Sequence, residues 1–377
     1  MTRRVAAVAA ATICLLLAVW VGPGTAGAAG GASSTSATWA VAAAGQAGQE
    51  EIERRLALPP FAYVAESEYD LDDIQSGVIE YQGFAACIDS ESDALVARPG
   101  AGSALLSVAV APDGRRFLMT DMYEPVLHVF DAESGEEVLA ISLPGVEGRD
   151  PSTWVMDALE EGGFPYSAMR GCSEGVACTP DGSLILVTSN AGLQVIDAET
   201  DRVVRTIPEL LGGQIAVSFD GERAYVACDE LDKLPPRDLV GWLEVMAKTE
   251  DCRLVSVDLT TWEVVKEVPT ALVSGIAVKP DDSEVFFSET YKKRVRVVDS
   301  LTLEDRWDVS TGPSFSIGLG FVPSGAKAYA VCSADTGYME ILGGQTVPSI
   351  PAAEDFFCAV IDTAGKEITK RIPLDAY

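Results

Sequence analysis

The chain contains one histidine, His128, and one asparagine, Asn190, among 377 residues, and only nine lysines. Histidine is the side chain that most metal sites and base-driven active sites draw on. A histidine-rich metal centre is therefore excluded, and a serine triad has a single candidate base. No Cys-x-x-Cys-His run exists for covalent haem. Positive charge is also scarce: 27 Lys plus Arg stand against 57 Asp plus Glu, a formal charge of -30. Such a surface repels phosphate backbones and anionic membranes at long range, which argues against a nucleic acid partner. With 48% hydrophobic and 22% charged residues, the chain has the material for a large core and lacks the signature of disorder.

Arg3 and Arg4 precede an apolar run from Val5 to Val21, and the small residues Ala26-Gly27-Ala28 close it. This pattern predicts a secretory signal peptide over residues 1–28. An uncleaved anchor is the alternative, because a run of about 17 apolar residues sits at the lower limit for a membrane span. Residues 29–60 are rich in Ala, Gly and Ser and read as a flexible leader. The expected location is exported: periplasm, cell surface or secreted, with no integral span after signal cleavage.

From residue 61 to 377 the sequence repeats. An apolar-Asp pair recurs six times, at Ile88-Asp89, Phe130-Asp131, Ile196-Asp197, Val257-Asp258, Val298-Asp299 and Ile361-Asp362, each between two β-rich runs. A second turn lies upstream, as in Pro112-Asp113-Gly114, Pro180-Asp181-Gly182, Phe219-Asp220-Gly221, Pro280-Asp281-Asp282 and Pro323-Ser324-Gly325. Pro presets one turn dihedral, Asp bonds the turn backbone and Gly accepts a left-handed position, so each such turn marks a hairpin. Each unit thus has four strands, A to D, with tight A-B and C-D turns. The apolar-Asp pairs are 42, 66, 61, 41 and 63 residues apart, and a period near forty with four short strands predicts a β-propeller. The expected fold is all-β, with antiparallel four-stranded blades in a single domain over 61–377. Six blades are expected, and seven is the alternative. The first unit lacks a clear A strand, which Trp39–Ala44 would supply.

The segments Gly221–Ala227 and Leu254–Asp258, and Gly182–Asn190 and Leu193–Val204, resemble YVTN-type β-propeller repeats, a group that includes amine dehydrogenase β-subunit-like propellers. The resemblance implies the propeller fold. Its functions are diverse, spanning surface-layer proteins, periplasmic binding proteins and propeller subunits of amine dehydrogenases.

Long inserts at residues 67–81, 229–251 and 333–357 interrupt B-C connections, and one at 146–170 interrupts a D-A connection. These two connection types emerge on one face of such a blade, so the inserts crowd one rim, where loops on a rigid scaffold carry binding function. Within 229–251, Leu239, Trp242, Leu243 and Met246 have helical spacing, which predicts a short amphipathic helix over Arg237–Lys248.

Eight cysteines include Cys14 in the signal peptide. Cys228 with Cys252, and Cys332 with Cys358, flank two inserts at matching repeat positions and are expected to form disulfides. Cys172 with Cys178 is a third candidate pair, with a buried core role for Cys178 as the alternative, and Cys87 is left as the odd thiol.

His128 lies within a strand pattern and reads as structural, as does Asn190. Acidic residues in the inserts, Asp70, Asp72, Asp73, Glu354 and Asp355, leave calcium as a possible cofactor. No other cofactor is evident. Tyr123, Trp154, Tyr166, Tyr291 and Tyr338 fall in or beside the connections of the insert face and are the candidate contacts for a protein partner or small ligand. The expected function is binding or scaffolding, leaning away from catalysis. The alternatives are a propeller subunit of a periplasmic oxidoreductase resembling amine dehydrogenase, or a lactonase-like hydrolase.

Overall fold

The computed structural model describes residues 20–21, 33–38, 61–70, 81–89, 94–97, 100, 105–148, 171–237, 245–246, 248–312, 314–322, 324–333 and 357–373. It is an all-β protein. The first sheet holds β1 (Trp20–Val21), β2 (Ser33–Thr38), β3 (Phe61–Asp70), β4 (Tyr81–Asp89) and β5 (Ala94–Ala97). Five regular four-stranded sheets follow. The second comprises β6 (Leu105–Val110), β7 (Arg116–Asp121), β8 (Val126–Asp131) and β9 (Glu137–Ser142), and the third β10 (Ser173–Cys178), β11 (Leu184–Ser189), β12 (Gly192–Asp197) and β13 (Arg202–Ile207). The fourth comprises β14 (Gly212–Val217), β15 (Arg223–Asp229), β16 (Cys252–Asp258) and β17 (Val264–Thr270). The fifth comprises β18 (Val273–Val278), β19 (Glu284–Glu289), β20 (Arg294–Asp299) and β21 (Asp305–Ser310), and the last β22 (Phe315–Phe321), β23 (Lys327–Ser333), β24 (Phe357–Asp362) and β25 (Glu367–Pro373). Every sheet is an antiparallel meander in chain order. In the first sheet the strand before β3 is Ser33–Thr38, just upstream of the expected Trp39–Ala44 and inside the stretch read as a leader.

The two recurring turns have the chemistry that their residues dictate. After each third strand the Asp carboxylate accepts a backbone N–H three residues on: Asp131 from Ser134, Asp197 from Thr200, Asp258 from Thr261, Asp299 from Thr302 and Asp362 from Gly365. This self-contained bond holds the third turn while the strands pair around it.

The first turns connect neighbouring sheets. Gly114, Gly182, Gly221 and Gly325 have φ of 68°, 72°, 74° and 68°. A Cβ on Gly182, Gly221 or Gly325 would meet the ring of Pro112, Pro180 or Pro280 in the preceding turn at 3.3–3.7 Å. One junction departs from this Pro-Gly contact. Phe219 replaces the proline and therefore carries an N–H, and Asp282 replaces the glycine at φ 55°. The Asp282 carboxylate accepts from Phe219 N at 2.6 Å and from Asp220 N at 2.8 Å. The two departures compensate each other: the N–H that proline would lack is taken up by a carboxylate that glycine would lack.

Apolar layers lie between consecutive sheets. Leu118 and Val129 meet Val176 and Val187 between the second and third. Val195 and Leu210 meet Val226 and Val255 between the third and fourth, and Tyr225 and Leu254 meet Ile276 and Phe287 between the fourth and fifth. Phe286, packed edge-on to Trp307 and Phe321 at centroid separations of 5.2 and 4.8 Å, fills the last layer. Each fully buried side chain of this size stabilises by roughly 1.5–3 kcal/mol.

The sheets approach most closely along their first strands. A Cβ on Gly175 would lie 2.6 Å from Gly213 O, and one on Gly275 would lie 2.9 Å from Gly318 Cα. All five first strands shift register against the second at the same place, for example between Ser173 and Val176 and between Val273 and Ile276. Second-strand hydroxyls serve the shifted backbone. Thr120 Oγ1 accepts from Ser107 N and donates to Glu174 O of the next sheet, both at 3.0 Å. Thr188 Oγ1 accepts from Gly175 N at 2.7 Å and donates to Gly213 O.

Register overturns the expected disulfides. Cys228 stands opposite Arg253 and Cys252 opposite Asp229. Directly opposed residues share a face and successive residues alternate, so Cys228 and Cys252 project from opposite faces of their sheet. Cys332, opposite Phe357, and Cys358, opposite Val331, are divided in the same way. Neither pair is bonded. Cys172 precedes β10 and Cys178 ends it, about 20 Å apart on an extended strand, whereas a disulfide needs Cα atoms within roughly 7 Å. Cys172 Sγ instead donates to Glu147 O at 3.1 Å. Cys178 is half-buried against the layer between the second and third sheets, and desolvation pushes its thiol up to about 12.

Two outcomes follow from these features. Asp282→Gly is expected to destabilise the protein by about 1–2 kcal/mol, and Phe219→Pro made in that background to recover part of the loss. Chemical denaturation of both single variants and the double variant reads the coupling, and strict additivity refutes the compensation. Denaturation with iodoacetamide and no reductant is expected to alkylate both Cys332 and Cys358. A bridged peptide in the mass spectrum refutes the register.

Candidate functional site

Two of the five regular sheets carry an acid, a base and an acid in the same repeat positions, with the first acid buried in both. In the second sheet Asp121, which ends β7, holds His128 Nε2 at 3.0 Å, and Glu137, which opens β9, holds His128 Nδ1 at 2.9 Å. In the fifth sheet Glu289 ends β19, Arg296 occupies the His128 position of β20, and Asp305 opens β21. Arg296 Nε donates to Asp305 at 2.6 Å and its Nη1 contacts Glu289 at 3.4 Å. The corresponding residues are Ser189, Gln194 and Val203 in the third sheet, Cys228, Val255 and Val264 in the fourth, and Cys332, Ala359 and Ile368 in the last. Acid, base and acid thus occur together or not at all, as expected where a lone buried charge is costly.

His128 is 4% exposed. Both ring nitrogens face carboxylates, and only the imidazolium supplies a donor to each. Burial works against that charge, but the hydrogen bonds to Asp121 and Glu137 outweigh it and raise the pKa above 6.5. The second carboxylate oxygen of Asp121 is also occupied, accepting from Tyr123 N and Glu124 N at 2.7 Å. His128 is therefore structural, as its strand position suggests. Asn190 is structural too: its Nδ2 donates to Glu147 O at 3.1 Å and its Oδ1 accepts from Glu147 N at 3.2 Å, which pins the start of the 146–170 connection.

The set in the fifth sheet lines a cleft of about 500 Å³ between this sheet and the link from β17 to β18. Glu289, 2% exposed, forms its back wall, bound to Arg294 Nε at 2.5 Å and to Ala271 N at 3.1 Å. Arg294 Nη1 donates to Asp308 at 2.9 Å, and Arg296 Nη1 donates to Pro269 O at 2.8 Å. Thr270, 2% exposed, also lines the cleft, and its hydroxyl has no hydrogen-bond partner among the described residues. The lip holds the exposed carboxylates of Glu250, Asp305 and Asp308. The cleft opens at the end of the sheets where the B-C and D-A connections emerge, at Glu250, Thr270, Ala271 and Glu289, and runs along β21 to Asp305.

Of the aromatics picked out by sequence, Tyr291 is at this end, in a 3-10 turn over Thr290–Lys292. Half-buried, it packs against Phe315 at 5.3 Å, with Lys293 Nζ 5.4 Å from the same ring. Tyr123 is 4% exposed, so it is not available as a surface contact. The tight turn that Asp121 holds folds it inward. Trp154, Tyr166 and Tyr338 lie outside the described residues, as do Asp72, Asp73, Glu354, Asp355 and most of the predicted helix around Trp242; Val245, Met246 and Lys248 are helical. No group of three or more potential metal ligands occurs among the described residues. Sequence reading passed over Thr270, Glu289, Arg294, Arg296 and Asp305. Aligning the repeats on the apolar-Asp pair would have exposed Arg296 in the His128 column and Asp305 in the Glu137 column.

No family model matches the chain, and no curated protein matches it. Among the described residues no helix is long and apolar enough to cross a membrane.

Because the folded pKa of His128 is raised, its contribution to stability is fully present below about pH 6.5 and is lost as pH rises through the folded value. As the only histidine, it gives one imidazole signal. NMR titration is expected to place its midpoint above 6.5, and the stability advantage over His128→Gln is expected to shrink as pH rises above about 6.5 through that midpoint. A midpoint at or below 6.5 contradicts the buried ionic set.

Proposed function

We propose that this chain is an exported six-bladed β-propeller of YVTN-type repeats that works by binding a protein partner or small ligand through the end bearing its B-C and D-A connections. The observation that carries the reading is convergence at that end: the polar cleft, the Tyr291–Phe315 pair and the starts of the long connections are all found there. The opposite end consists of short turns closed on their own Asp side chains. The stacking of five four-stranded antiparallel sheets, closest along their first strands, supports the propeller architecture. A preference for binding over catalysis draws support from the buried groups His128, Asp121 and Glu289, whose polar atoms are taken up by one another and by neighbouring arginines and backbone N–H groups.

Crosslinking of the intact chain to its partner in envelope extract tests the reading. Tyr291→Ala combined with Lys293→Glu is expected to weaken capture of that partner at least about tenfold, the effect of losing an aromatic anchor at an interface. Glu199→Lys, on a C-D turn at the opposite end, is expected to leave capture unchanged. Loss with Glu199→Lys alone, or equal capture by all three proteins, refutes the assignment of the face.

A further inference from the structure

The cleft between the fourth and fifth sheets brings three hydrogen-bond donors into one small space. Arg294 uses its Nε on Glu289 and its Nη1 on Asp308. Arg296 uses its Nε on Asp305 and its Nη1 on Pro269 O and Glu289. The hydrogen bonds of both arginines to the described residues run through Nε and Nη1 and leave Nη2 to the cleft, and the buried Thr270 hydroxyl has no partner among those residues. Two guanidinium groups and a hydroxyl-bearing residue along one cleft form a donor set for a carboxylate, which guanidinium groups bind with matched geometry.

The lip has the opposite chemistry. The side chains of Asp305 and Asp308 are 66% and 52% exposed, and each has one carboxylate oxygen engaged by an arginine. Glu250, 75% exposed, adds a third acid, neutralised in part by Lys292 at 3.2 Å. These free oxygens suit an ammonium group. A simple anion would meet the acids of the lip and the chain's overall charge of -30, while a simple cation would meet the arginines of the wall. A ligand with both charges satisfies both sets, and discrimination comes from what repels the wrong ligand as well as from what attracts the right one. A volume of about 500 Å³ lies within the ordinary range of small-molecule sites.

We propose that this cleft binds a small zwitterion, a free amino acid or the equivalent short peptide, with its carboxylate on Arg294, Arg296 and Thr270 and its ammonium on Asp305 and Asp308. The assignment rests on the reading of this end of the protein as a binding face, and it names a ligand class for one site on that face.

Isothermal titration of the intact chain with glycine, leucine, diglycine, acetate and methylamine tests it. At least one of the zwitterions is expected to bind at least about tenfold more tightly than acetate and methylamine. The order among glycine, leucine and diglycine separates an amino acid site from a peptide site. Thr270→Val keeps the side-chain shape and removes the hydroxyl, and it is expected to weaken binding about fivefold with the melting temperature held. Asp308→Asn, which keeps the fold and one acceptor oxygen, is expected to weaken the zwitterions and leave acetate no weaker. The proposal is overturned if no zwitterion binds, if acetate or methylamine binds equally well, or if Thr270→Val binds as wild type. Failure here leaves the partner test independent, because Tyr291 packs on Phe315 at the next junction between sheets.

Discussion

Where the third sheet meets the fourth and the fifth meets the last, the first strands run too close together for side chains, and much of the architecture answers to that spacing. Glycines occupy the contact at Gly175, Gly213, Gly275 and Gly318. The register shift that brings the backbones together leaves N–H groups without their regular strand partners. Thr120 and Thr188 supply the missing acceptors and pass a hydrogen bond on to the following sheet. Ser288 Oγ meets the hydroxyl of Ser316 on the following sheet at 2.7 Å. A buried N–H left unpaired costs about 1–3 kcal/mol, so the hydroxyl and the register shift belong together, with glycine added where the strands meet most closely. Farther out the sheets diverge, and aliphatic and aromatic side chains fill the widening gap.

Charge follows the same logic of complete sets. Glu289 is almost wholly buried, yet both its oxygens are engaged by Arg294, Arg296 and Ala271. The equivalent positions of the fourth and last sheets dispense with charge altogether and pack Val255 and Ala359. Exposed pairs behave differently. Arg306 holds the Asp299 carboxyl down to about 2 by a direct hydrogen bond, but the arginine is half exposed and screened. Such pairs shape the surface and add little to stability.

The contrast between what the sequence discloses and what it conceals is one of range. Asp131, Asp197 and their counterparts act within three residues, so the turn, its neighbouring strands and the four-stranded unit can be read along the chain. The charged sets draw one residue from each of three strands, and Arg296 looks like an ordinary strand arginine until its neighbours across the sheet are known. The cysteine pairs illustrate the finest grain of the problem. Their spacing around two inserts is symmetrical and suggestive, but a single residue of register decides whether two thiols share a face. Tyr123 was obscured by the same kind of detail, since a connection that carries an aromatic can still turn it inward when a buried Asp121 gathers the backbone beneath it.

The contacts of Gly182, Gly221 and Gly325 with the prolines of preceding turns, and of Asp282 with Phe219, have a consequence for how such a chain can change. They act as a gauge that sets the pitch from one sheet to the next at a single end of the stack. Connections at the other end are not part of the gauge, so they are free to lengthen without altering the spacing between sheets. The long connections of this sequence fall between strands at that other end, where the gauge does not constrain their length. At the Asp282–Phe219 junction both parts of the gauge differ together, and the contact between the turns is kept.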